Sequence, residues 1–207
     1  DTVPADGDLI IRVDDDTPET ADEASAVFWV DEDGLDPNGI AGGPGDIDVT
    51  NEDPNDDGDG DETTAGGTVG YLFNSGADVP LSFGLDDSDE ALAAFEAANP
   101  GLSSGGHALS YAISGGVLTG YYEVPGETEE DPLVQVDVFT FTLGSDGAFD
   151  FVLLEQLDHD PLTDEAGDDE ENELDINFGS LVLATDFDGD TVPADGDLII
   201  RVDDDTP

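Results

Sequence analysis

An all-β sandwich with insertions and one short helix is the fold this sequence predicts, on three observations. Short runs of β-branched and aromatic residues recur between turns rich in Gly, Asp and Asn. Only one stretch combines helix formers with a capping pattern. Hydrophobic residues make up 37% of the 207, enough for one ordinary core.

Taken in order, strands are expected over residues 26–30, 68–73, 79–83, 108–113, 117–122, 134–143, 148–154, 174–178, 181–185 and 198–202. In the longest, Val134, Val136 and Val138 share one face before the apolar phase flips to Phe139, Phe141 and Leu143. A bulge near Val138, or burial on both faces, accounts for the flip. Gly144-Ser145-Asp146-Gly147 reads as a hairpin turn leading to Phe149 and Phe151. The helix is expected to be capped by Asp87, with Glu90 three residues later, and to run through Ala91 to Ala98 before Asn99-Pro100-Gly101 stops it. Many short strands with a single crossover helix describe an immunoglobulin-like or cadherin-like β-sandwich. Trp29 is expected in its core.

Charge is the extreme property: 55 Asp and Glu face two basic residues, Arg12 and Arg201, for a net charge of -53. Spread evenly, those charges would lie roughly 13 Å apart on the folded surface, beyond a Debye length of about 8 Å. Carboxylates two residues apart in one loop escape that screening and need cations. Nucleic acid is excluded as a partner, because gripping phosphate takes Lys and Arg. An anionic membrane surface is excluded likewise, and no apolar run approaches the roughly 20 residues of a membrane span. With no Cys, disulfides and thiolate metal sites are impossible, leaving oxygen-liganded hard cations.

Residues 1–18 recur unchanged as residues 190–207, an offset of 189 positions. The chain therefore reads as one period of a tandem array, with the start of the next. Residues 1–13 are taken as the terminal strand of the preceding repeat, 14–18 as a calcium-binding linker, 19–202 as a single sandwich domain and 203–207 as the linker onward. Pro stiffens that linker. The strand at 9–13, cut off from its own sandwich, is expected to dock on an exposed sheet edge.

Asp186-Phe187-Asp188-Gly189-Asp190 is the sharpest metal motif: alternating carboxylates around a turn-permitting Gly converge on one Ca²⁺ at about 2.3–2.6 Å. Left bare, such carboxylates repel by about 0.8 kcal/mol per pair at 5 Å even in water. The linker acids Asp14, Asp15 and Asp16, with their copies Asp203, Asp204 and Asp205, are expected to join turn acids of both adjacent domains in a shared calcium site. Asp6, Asp8, Asp195 and Asp197 are weaker members. Asp31-Glu32-Asp33-Gly34-Leu35-Asp36 is a second candidate calcium loop. The string from Asp53 to Glu62 matches half an EF-hand loop, but Thr64 stands where the bidentate Glu belongs and no flanking helices are expected. Gly42-Gly43-Pro44-Gly45-Asp46 does not recur as a β-roll unit would. His107 and His159 read as structural or surface residues, since no nucleophile motif or phosphate loop accompanies them. No catalytic residue, small-molecule substrate or ice-binding Thr array is expected.

In order along the chain, Asp31-Glu32-Asp33-Gly34-Leu35, Leu102-Ser103-Ser104-Gly105-Gly106, Gly116-Val117-Leu118-Thr119-Gly120, Phe139-Thr140-Phe141-Thr142-Leu143, Leu157-Asp158-His159 and Thr185-Asp186-Phe187-Asp188-Gly189-Asp190-Thr191 carry a resemblance. Together they resemble the tandem extender repeats of giant RTX adhesins exported by type I secretion from Gram-negative bacteria. The resemblance implies a calcium-rigidified spacer on the cell surface, flanked by identical neighbours in the same chain, that projects a distal ligand-binding region for adhesion and biofilm formation. It implies an outer-membrane anchor on the parent protein and no membrane insertion by the repeat. Absent Lys and abundant Asp are consistent with a saline habitat. A calcium-dependent carbohydrate-binding module is the rival reading.

Overall fold

In this computed structural model the described residues are 17–21, 24–35, 63–76, 78–126, 132–159 and 173–204. The alternation of apolar and polar residues builds two facing layers. The first is a five-stranded antiparallel sheet in the order β3-β11-β10-β9-β8. Its strands are β3 (Thr64–Thr68), β8 (Ser110–Ser114), β9 (Val117–Val124), β10 (Val134–Leu143) and β11 (Ala148–Leu153). The second layer holds two three-stranded sheets. One is β12 (Leu174–Asn177), β15 (Asp197–Asp203) and β2 (Ser25–Asp31), with β15 central. The other is β14 (Thr191–Pro193), β13 (Val182–Thr185) and β5 (Ser82–Leu85). Short pairs join β1 (Glu19–Thr20) to β4 (Phe73–Asn74) and β6 (Ser103–Ser104) to β7 (His107–Ala108). The protein is all-β with one short helix, and no helix among the described residues is long and apolar enough to cross a membrane.

β10 spans the expected residues, and its register against β9 shifts between Asp137 and Phe139. The apolar phase flip is thus a β-bulge at Val138, which lets Val138 and Phe139 both be buried. The Gly144 to Gly147 turn joins β10 to β11 as expected, with Gly147 at φ 86°. The helix α1 (Asp89–Ala98) lies between β5 and the β6–β7 pair, crossing from the second layer toward the first. Its cap is Ser88, one residue past the expected Asp87: the Ser88 Oγ accepts from the Ala91 amide at 3.2 Å, while Asp86 accepts from the Ser88 amide at 3.0 Å.

The core is aromatic and centred on Phe178, just past β12. Its ring lies 4.4 Å from Phe141, 5.4 Å from Phe95 of α1, 5.9 Å from Phe151 and 6.0 Å from Phe139. Both layers and the helix therefore meet on one residue.

Four expectations need correction. The strand expected over 68–73 is instead β3, a 3-10 turn at Gly70–Leu72 and β4. Val69 and Leu72, three apart, are both buried by that turn. The strand expected over 79–83 lies at Ser82–Leu85, since Pro80 offers no amide to a ladder. Residues 108–113 divide between β7 and β8. Trp29 is half-buried rather than core: β2 and β15 set it opposite Arg201, whose guanidinium carbon lies 4.8 Å from the ring centroid.

Topology carries the functional consequence. β2 and β15 pair in parallel, Ser25 beside Asp197 and Asp31 beside Asp203. Two parallel strands near the two ends of the described chain place those ends at opposite poles. Here these are the upstream pole, where β2 begins, and the downstream pole, where β15 ends.

Candidate metal centres

The first cluster grows from the β13–β14 hairpin. Thr185 and Thr191 close its base, their hydroxyl oxygens 2.8 Å apart, and Gly189 takes the φ of 108° that the tip requires. Asp186 folds back into the loop: one carboxylate oxygen, Oδ1, accepts from the amides of Gly189 at 3.0 Å and Asp190 at 2.8 Å. The other, Oδ2, is buried without a hydrogen-bond partner. Burial pushes this carboxyl upward, but the Asp190 amide, hydrogen bonding with Asp188 and the Gly189 amide hold it below the usual carboxylate range. One oxygen each from Asp186, Asp188 and Asp190 lies within 4.8 Å of the others. Oxygens bound to one calcium at about 2.3–2.6 Å lie no more than about 5 Å apart, so this donor set fits a hard cation.

The second cluster arises where β2 and β15 end side by side. The parallel register brings Asp31 next to Asp203 and carries the chain on to Glu32 and Asp204. Asp31 and Glu32 of the candidate loop and Asp203 and Asp204 of the linker acids thus lie together at one place. Asp31 and Asp203 are 2% exposed and Glu32 1%. Glu32 accepts from the Leu157 amide at 2.7 Å, and His159 Nε2 lies 3.3 Å from the same Glu32 oxygen. Ligand atoms of Glu32, His159 and Asp204 fall within 4.8 Å of one another. Burial raises the Glu32 carboxyl above its ordinary value, offset in part by His159 and the Leu157 amide.

The residue before His159 is itself fixed in place. Asp158 accepts from Ser103 Oγ at 2.5 Å and the Gly106 amide at 2.8 Å. Those two bonds hold its carboxyl below the usual range. A depressed folded value stabilises the native state above about pH 4 and is lost as pH falls through it. Ser103→Ala should therefore cost a little stability at neutral pH, under about 1 kcal/mol because the site is exposed. Urea melts of the two proteins should converge below about pH 4; a difference that ignores pH would refute this account.

The clusters occupy opposite poles. The turn at the Leu143 end of β10 accepts from the Phe83 amide through Ser145, and Ser82 is the ladder partner of Thr185, next to Asp186. In the other half of β10, Val138 accepts from Leu154 and Glu155, whose chain continues to Leu157 and Glu32. Asp186, Asp188 and Asp190 thus mark the upstream pole; Asp31, Glu32, Asp203, Asp204 and His159 mark the downstream one.

Asp197 starts β15 at the upstream pole and accepts from Asn177 Nδ2 at 2.6 Å. Asp195 is exposed nearby. The expectations for Asp6, Asp8, Asp14, Asp15, Asp16, Asp36, Asp205, the strand at 9–13, the Asp53 to Glu62 string and the Gly42 to Asp46 string lie outside the described residues, as does the side chain of Asp33. Sequence reasoning took His159 as structural or surface and gave no sign that it lies beside Glu32, 127 residues away. The Leu157-Asp158-His159 string was visible, but nothing in it names its partner. Comparison with protein families, curated proteins and solved structures finds no match to this chain.

Proposed function

We propose that this chain is a structural spacer, one repeat of a long cell-surface adhesin, made rigid by calcium held at the joints between neighbouring identical repeats. The observation that carries the reading is the parallel pairing of β2 with β15, which passes the chain from one pole to the other with a carboxylate cluster at each. A module that is merely threaded in this way lengthens a chain by its own height with every copy.

The duplicated segment sharpens the point. Residues 203–207 repeat 14–18, so in an array Asp204 of one repeat corresponds to Asp15 before the next. Only one residue then separates it from Thr17, and Pro18 is already buried in the following domain. Two residue steps span at most about 7 Å. Downstream and upstream clusters of successive repeats would face each other across a very short joint, where divalent cations replace repulsion with shared coordination.

The test is a chain of two full periods examined by small-angle scattering and thermal unfolding, with calcium and with chelator. A longer, narrower particle and a higher melting temperature in calcium are expected. Identical scattering profiles in the two conditions would defeat the spacer reading.

A further inference from the structure

We infer that the downstream cluster, Glu32, His159 and Asp204, is a site for a borderline transition metal of the zinc class, chemically distinct from the all-oxygen cluster at the other pole. The claim rests on this repeat's own residues and stands whether or not the repeat serves as a spacer.

Three separate segments deliver the ligands: Glu32 follows β2, His159 follows β11 and Asp204 follows β15. An imidazole nitrogen is a poor partner for calcium, which takes oxygen, and a good one for zinc, nickel or copper. Distance allows the same reading. His159 Nε2 and the Glu32 oxygen lie 3.3 Å apart, within hydrogen-bonding distance as they stand. Bonds of about 2.0–2.1 Å at tetrahedral angles set neighbouring ligands about 3.3–3.4 Å apart, so the pair already has the spacing of one edge of a zinc site.

Its surroundings suit a metal as well. The His159 side chain is 3% exposed and Glu32 1%, so a divalent ion there would offset carboxylate charge in a poorly solvated place. The Leu157 amide fixes the Glu32 carboxylate, and Ser103 and Gly106 clamp Asp158, the residue before His159 in the chain. Among the described residues, a cavity of about 280 Å³ adjoins His159 and is lined also by Asp158, Glu173 and Gly101. Three protein ligands leave a fourth position for water.

The test uses the 207-residue chain, stripped of metal and then held in excess calcium so that its many carboxylates are saturated. Zinc is added while calorimetry follows binding and proton NMR follows the rings of His107 and His159, the two histidines present. Expected are a single tight equivalent of zinc, a shift of the His159 resonances alone, and selective broadening of the same signals by cobalt. His159→Gln should weaken zinc by roughly a hundredfold or more, beyond what supporting residues usually contribute. Asp188→Asn should leave zinc affinity unchanged while weakening calcium, which separates this inference from the spacer reading. An unmoved His159 ring at stoichiometric zinc, or equal zinc affinity in His159→Gln, overturns it.

Discussion

Phe178→Ala is expected to cost about 3–5 kcal/mol, a large share of the roughly 5–15 kcal/mol that holds a typical domain together. The ring, just past β12 of the second layer, is fully buried and in contact range of four others drawn from the five-stranded sheet and α1. Those neighbours are anchored by their own strands and cannot collapse into the void, so the loss combines transfer and cavity costs. Urea unfolding is the measurement. Phe187→Ala serves as the control, because that ring is 77% exposed at the tip of the β13–β14 hairpin, and it should shift stability by no more than about 0.5 kcal/mol. Equal midpoints for Phe178→Ala and the parent protein would mean the two layers do not meet on this residue.

Calcium should produce the second largest effect. At free calcium a hundredfold above its dissociation constant, one native-state site adds about 2.7 kcal/mol. Comparing calcium with chelator at matched ionic strength separates coordination from the screening that any salt gives a chain of charge -53. Magnesium should do less, since it dehydrates reluctantly and demands near-octahedral geometry. Asp186→Asn should remove most of the response from the upstream cluster. Asn keeps an oxygen for the Gly189 and Asp190 amides yet withdraws the charge that the buried second oxygen offers a cation. A calcium response that survives Asp186→Asn in full would move the site elsewhere.

What could be read from the chain beforehand follows a physical division. Periodicity is local, so β10 was legible in full, and the flip from Val138 to Phe139 announced the bulge. The hairpin turn after Leu143 and the body of α1 were legible for the same reason. Boundaries were less so: Asp87 and Ser88 can both cap a helix, and the choice fell to a side-chain bond from Asp86 that sequence does not reveal. Pairing is non-local. Nothing in Ser25–Asp31 states that its neighbour is Asp197–Asp203, or that the two run parallel. Hence the acids at 31–32 and 203–204 looked like separate features, His159 looked solitary, and Trp29 looked like core until Arg201 was set across from it. The Asp186 loop was legible because its acids are neighbours in sequence.

The adjacency of β2 and β15 also sets how tension would be borne. Traction applied at the two ends of the described chain pulls these strands along their lengths in opposite directions. Their ladder, seven residues from Ser25 beside Asp197 to Asp31 beside Asp203, is then loaded in shear. In that geometry the interstrand hydrogen bonds must yield together rather than open one by one, so a clasp that resists shear lies directly on the line of force.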